Sequence, residues 1–186
     1  MPHAKAAIGR LFENRIVVWD VEASRRLFRD SYYGKPLGIP KPKDFEFDAP
    51  LILDLMESYY LVKKKKLRVE SEEGKPLSSK ELESLCAAGY PDFMERYLVY
   101  SLLRESGFVV GPGIKFGSDF AVYEHGPGID HAPYLVQVEK DEAQVTATAM
   151  VRSGRLATTV RKQFIIAVVN AASRRVDFLG FDWWRA

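Results

Sequence analysis

At 186 residues, 47% hydrophobic and 28% charged, the chain has the composition of a folded globular protein with room for one large domain or two small ones, which excludes intrinsic disorder. A net charge of +2 argues only weakly for a polyanionic partner. The lone Cys86 excludes an internal disulfide, no Cys/His spacing suggests zinc, and neither a signal-peptide core nor a bilayer-spanning apolar run is present, so the expected compartment is a reducing cytoplasm.

Ala6–Phe12 and Arg15–Trp19 read as two short strands, with Glu13-Asn14 as a hairpin turn lacking the favoured glycine. Asp20 is placed to cap a helix running to about Ser31, with Val21, Leu27 and Phe28 on one side and Gly34 beyond its end. In Tyr33–Asp44, Gly34, Pro36, Gly38, Pro40 and Pro42 alternate with Lys35, Lys41 and Lys43. That density of breakers predicts an exposed basic loop. Asp48 then opens a second predicted helix, with Pro50 in its first turn and Leu51, Leu55, Met56 and Tyr59 as its apolar face. The helix runs into Lys63–Lys66, a charge run that is more often a solvated boundary than a nucleic-acid patch. Leu67–Glu70 reads as a strand, Ser79 caps a short helix to about Ala88, and Gly89-Tyr90-Pro91 marks a domain boundary.

From Pro91 a helix is predicted with Phe93, Tyr97, Tyr100, Leu102 and Leu103 as a broad apolar face, ending at Gly107. Phe108–Val110, Ser118–Tyr123 and Tyr134–Val138 follow as strands, the last two joined by a Gly- and Pro-rich turn. In Ser118–Tyr123, Phe120 and Val122 lie on one face and Ala121 and Tyr123 on the other. Val145–Val160 is predicted mostly helical, Phe164–Val169 a strand buried on both faces, and Val176–Phe181 a final strand before Trp183-Trp184-Arg185. The pattern supports an α/β or α+β fold with a mixed sheet. Residues 151–186 hold seven cations against two acids, a local +5 suited to a phosphate backbone.

Three blocks stand out: Gly113-x-Lys-Phe-Gly-x-Asp-Phe-x-Val-Tyr123, His131-x-x-Tyr-Leu-Val136, and Arg155-x-Ala-x-x-Val-Arg-Lys162 with the apolar run to Asn170. In order and spacing they resemble the catalytic domain of archaeal tRNA-splicing endonucleases. The resemblance implies a small α/β N-terminal domain, residues 1–88, carrying the basic loop 33–44. It further implies a mixed-sheet α/β catalytic domain of restriction-endonuclease-like type, residues 89–186.

The resemblance also implies metal-independent RNA cleavage with no cofactor, removing introns from precursor tRNA at bulge–helix–bulge motifs and leaving 2′,3′-cyclic phosphate and 5′-hydroxyl ends. Tyr123 would be general base, His131 general acid and Lys162 the cation on the transition state. Histidine and lysine suit these tasks at neutral pH. A phenol does so only if neighbouring cations acidify it, and Lys162 and nearby arginines are the candidate source. His125 competes with His131 as the acid, but only His131 precedes the x-x-Tyr-Leu-Val strand. Arg155, with Trp183, Trp184 or Arg185, corresponds to residues that grip a flipped-out base in relatives, and Lys41 and Lys43 are candidate RNA contacts on the basic loop.

Homo-oligomeric relatives carry acids in the loop between the two final strands, which dock into a basic pocket of another subunit. Asn170–Ser173 and Arg174-Arg175 contain none, so the expected assembly is a heterotetramer, two copies with two of a distinct structural subunit. Two other readings are a non-catalytic RNA-binding subunit of that assembly and a metal-dependent nuclease with Asp119 and Glu139 as ligands.

Overall fold

The computed structural model describes residues 5–40 and 42–181 and divides into two compact units, Met1–Phe93 and Met94–Ala186. In the first unit the strands are β1 (Ala7–Phe12), β2 (Arg15–Val18), β3 (Lys35–Pro36), β4 (Leu51–Asp54) and β5 (Leu67–Glu70), ordered β3-β4-β2-β1-β5. Only the β1–β5 pair is parallel. Helices α1 (Val21–Ser31) and α2 (Leu55–Lys63) cover the face made by Ile16, Val18, Leu51, Leu53, Leu67 and Val69, and α3 (Ser79–Gly89) adds Leu82 and Cys86 behind α2.

The predicted hairpin and first helix are present. Asp20 accepts the Ala23 N–H at 2.7 Å, and Tyr32 ends α1 in the left-handed conformation. The helix expected from Asp48 is not. Leu51–Asp54 is instead a strand paired with β2, because Leu51 and Leu53 fill the core, and the helix begins only at Leu55. Its start is a capping box: Asp54 accepts the Glu57 N–H while the Glu57 carboxylate takes the Asp54 N–H. Nor is Tyr33–Asp44 wholly an exposed loop. Tyr33 and Pro36 are buried, Lys35-Pro36 pairs with β4, and Gly34 lies so close to β4 that a Cβ would stand 2.7 Å from the Ile52 carbonyl.

The lysine run closes α2, where cations offset the helix dipole. Lys63 lies over the Tyr59 ring, Lys64 over Tyr60, and Lys66 pairs with Asp30 at 2.9 Å.

The second unit contains α4 (Phe93–Glu105), β6 (Val109–Pro112), β7 (Phe120–Tyr123), β8 (Tyr134–Lys140), α5 (Ala147–Thr159), β9 (Gln163–Asn170) and β10 (Arg175–Phe181). Its sheet runs β10-β9-β8-β7-β6, antiparallel except for β8–β9, which α5 connects as a crossover. One face packs Ala121, Leu135, Phe164 and Ile166 against Ala157 of α5. The other carries Phe120, Val122 and Val136 toward Leu103 of α4, and Leu102, expected in that apolar face, is exposed. The β9 run is less enclosed than expected: Ile165 and Val168 are only half-buried, since edge strand β10 leaves that part of the sheet open. Arg96 of α4 is held to the sheet through Asp119, whose carboxylate takes the Arg96 Nε at 2.8 Å and the Val138 N–H at 2.7 Å.

Candidate active site

Three strand ends converge at one edge of the second sheet. β7 ends at Tyr123, β8 begins three residues after His131, and β9 begins immediately after Lys162. The register pairs Val122 with Tyr134 and Tyr134 with Gln163, so the end of the antiparallel β7 and the starts of the parallel β8 and β9 lie side by side.

Lys162 is set by the way α5 stops. The Lys162 N–H bonds the Ala157 carbonyl at 2.8 Å and the Arg161 N–H bonds Thr158 at 3.0 Å, with Arg161 at φ +54°. This is a Schellman closure built on an arginine where glycine is usual. From it the Lys162 ammonium reaches the carbonyl of Ala132, the neighbour of His131, and lies 5.1 Å from the Phe116 ring centroid. Lys162, Gln163, Phe164 and Phe181 line a polar cleft of about 360 Å³ together with Gly154 and Thr158 of α5.

Tyr123 and Phe116 pack on the cluster of Ala121, Ala132, Leu135 and Ala157, which places Tyr123 and Ala121 on one face of β7, as the alternation predicts. Burial, followed by the charge of Asp130, pushes the Tyr123 phenol above its ordinary pKa. The acidified phenol anticipated from Lys162 and nearby arginines is therefore not found in this chain by itself.

The connection from Tyr123 to His131 is closed by a residue the sequence reading passed over. Asp130 accepts the N–H of Gly126 at 2.8 Å, of Glu124 at 3.0 Å and of His125 at 3.2 Å. Desolvation pushes its carboxyl up, but the three N–H groups and the His125 charge together outweigh it and hold the group below the usual carboxylate range. Gly126 and Gly128, at φ +132° and +96°, allow the tight return. The signal was an Asx residue straight after Gly-Pro-Gly-Ile, a local turn former. His131 and His125 are both exposed on this loop.

Gly113, at the head of the first block, is packed so tightly that a Cβ would fall 2.4 Å from Ser118 Oγ and 2.8 Å from the Phe120 carbonyl carbon. Arg155 is exposed on α5, and Lys43 is exposed in the N-terminal unit. Lys41, Trp183, Trp184 and Arg185 lie outside the described residues. Asp119, considered as a metal ligand, spends its carboxylate on Arg96 and the Val138 N–H. Among the described residues no three His, Cys, Asp or Glu side chains cluster as a metal site, and no helix is long and apolar enough to cross a membrane.

Residues 93–178 match the family model described as tRNA intron endonuclease, catalytic C-terminal domain, and residues 7–83 match that of the tRNA intron endonuclease, N-terminal domain. The chain is 47% identical to a tRNA-splicing endonuclease of Hyperthermus butylicus over 91% of this chain and 93% of that protein. It is 41% identical to that of Sulfurisphaera tokodaii (95% and 98% covered) and 42% identical to that of Pyrobaculum aerophilum (96% and 99%).

Proposed function

This chain belongs to the tRNA intron endonuclease family, and on that premise we propose that it excises introns from precursor tRNA by metal-independent transesterification in the cytoplasm. The ribose 2′-oxygen attacks the adjacent phosphorus, the new 2′-O–P bond replaces the P–O5′ bond, and the ends are a 2′,3′-cyclic phosphate and a 5′-hydroxyl. Tyr123 takes the 2′ proton, His131 protonates the leaving 5′-oxygen, and Lys162 stabilises the charge on the phosphorane. Arg155, exposed on α5 and next in sequence to the cleft-lining Gly154, stacks on a bulge base with one of Trp183, Trp184 or Arg185. Lys41 and Lys43 contact RNA from the basic loop.

The observation that carries this reading is the convergence of three strand ends, with the Lys162 ammonium on the carbonyl next to His131. In the isolated chain Tyr123 is held protonated and Lys162 is engaged with Ala132. The base role therefore calls for a cation brought by another subunit.

That requirement agrees with a heterotetramer, two copies of this chain with two of a distinct structural subunit. The turn between β9 and β10 is held by Asn170, which accepts the Ser173 N–H at 2.8 Å, and it carries Arg174 and no acid. It cannot supply a negative group to a basic pocket elsewhere.

The test is single-turnover cleavage of an intron-containing precursor tRNA in EDTA, by the chain alone and with a candidate partner, with analysis of the cut ends. His131→Ala, Lys162→Ala and Tyr123→Phe each lower the rate by about 100-fold or more while RNA affinity changes little. A crippling His125→Ala with a mild His131→Ala refutes the choice of acid. A homotetramer by light scattering that cuts without help refutes the assembly.

A further inference from the structure

The reading above gives the N-terminal unit only the RNA contacts of its basic loop, yet the helix-free face of its sheet is unusual. Register and alternation place Arg10 and Phe12 of β1, Arg15 of β2, Arg68 of β5 and Lys35 of β3 on that face, with Trp19 just beyond β2. Trp19 is 54% exposed and Phe12 38%, their ring centroids are 6.2 Å apart and their planes meet at 81°. Ile8, 48% exposed, continues the apolar strip. Large aromatics left open at this scale are ordinarily covered by something.

We propose that this sheet face is a second RNA contact, in which Trp19 and Phe12 form a stacking platform for an unpaired base and the surrounding arginines and Lys35 take flanking phosphates. The distribution of charge selects the occupant. Arg15 stands directly opposite Phe12, Arg68 directly opposite Ile8, and Arg10 one step along β1 from each. Cations are thus interleaved with the apolar strip rather than confined to its rim, a placement that lets a base stack while its flanking phosphates are met on either side. Two acids share the register, Glu70 at 3.8 Å from Arg10 and Asp54 opposite Arg15, and against the four cations they leave the face at +2. What remains is aromatic surface in a positive field, the combination that holds single-stranded nucleic acid. Precursor tRNA presents both of the groups this face is suited to, unpaired loop bases and a continuous phosphate backbone. The face would grip part of the substrate away from the scissile bonds.

The proposal rests on precursor tRNA being the substrate, and its test separates the two readings by comparing two RNAs in the assembly that cuts. One is the full precursor, the other a short duplex holding only the two bulges. Trp19→Ala and Phe12→Ala, both solvent-facing, should weaken binding of the full precursor on the order of tenfold. Arg15→Ala should reduce the slope of log affinity against log salt by roughly 0.7–0.9. In all three, the short duplex should be bound and cut as by the parent, and ultraviolet crosslinking to the precursor should label the tryptic peptide that contains Trp19. Circular dichroism confirms that each variant is folded. Unchanged affinity for the full precursor overturns the proposal. So does an unchanged RNA affinity combined with lost subunit association, which would make the face a protein interface. If the parent binds the precursor without cutting it, the catalytic assignment fails, while the affinities still decide the role of this face.

Discussion

Asp130 offers a test of how the active-site loop is held. Replacing it with alanine removes the acceptor for three N–H groups. Those of Glu124 and His125 belong to exposed residues and can turn to water, but Gly126 is buried. The stability lost is therefore governed by one unsatisfied buried N–H, about 1–3 kcal/mol, or a fall in Tm of very roughly 2–12 °C for a chain of this size. The larger effect falls on rate. His131 follows directly after Asp130, and a displacement of about 1 Å at a reacting group is worth on the order of 100-fold. Single-turnover cleavage should drop by roughly that factor with RNA affinity little changed. Asp130→Asn should fall between, because one oxygen can keep the 2.8 Å bond to Gly126 while those to Glu124 and His125 are lost. The carboxyl is held below its ordinary range, so its stabilisation is complete at neutral pH and fades as pH falls below about 4 through the folded value. Melting curves of the parent should show this acid-dependent loss and those of the alanine variant should lack it. A variant that cuts within threefold of the parent would falsify the idea that this carboxylate positions His131.

Gly113→Ala should cost about 1–3 kcal/mol, because the added Cβ meets Ser118 and backbone at the start of β7. An unchanged melting temperature would contradict the packing described. The Cys86 thiol is fully buried, and burial first, then Asp54 and Glu83, pushes its pKa up to about 12. It should ignore a disulfide reagent at pH 8 until the protein unfolds. Because the unfolded thiol ionises near pH 8.5 and the folded one only near 12, stability should decline as pH rises through that interval, and Cys86→Ala should remove that part of the decline.

The hairpin of β1 and β2, the cap at Asp20 and the order of elements from α4 to β10 were legible because alternation, breakers and capping residues agreed there. The failure at residues 48–54 has a definite cause. Leu51-Ile-Leu-Asp54 suits either a strand or a helix turn, and only pairing with β2 decides between them. The Asp54-x-x-Glu57 capping box was present as a start signal, but Asp48 before Pro50 offered a competing one. In the candidate site, local pattern marked Tyr123 and His131 as flanking a hairpin return. The approach of Lys162 to Ala132, thirty residues away in sequence, depends on a crossover that periodicity does not encode. The Schellman closure at Arg161 was hidden because its left-handed position lacks glycine.

The parallel pairing of β8 with β9 across α5 has a consequence for the life of the chain during synthesis. Contacts separated by a helix form late, because chain-closure entropy must be overcome before they add stability. A ribosome delivers the N-terminal unit before Lys162, so growing chains can fold their first sheet while β9 is still missing. A chain halted before β9 would carry Tyr123 and His131 without Lys162 and would leave β8 without its parallel partner.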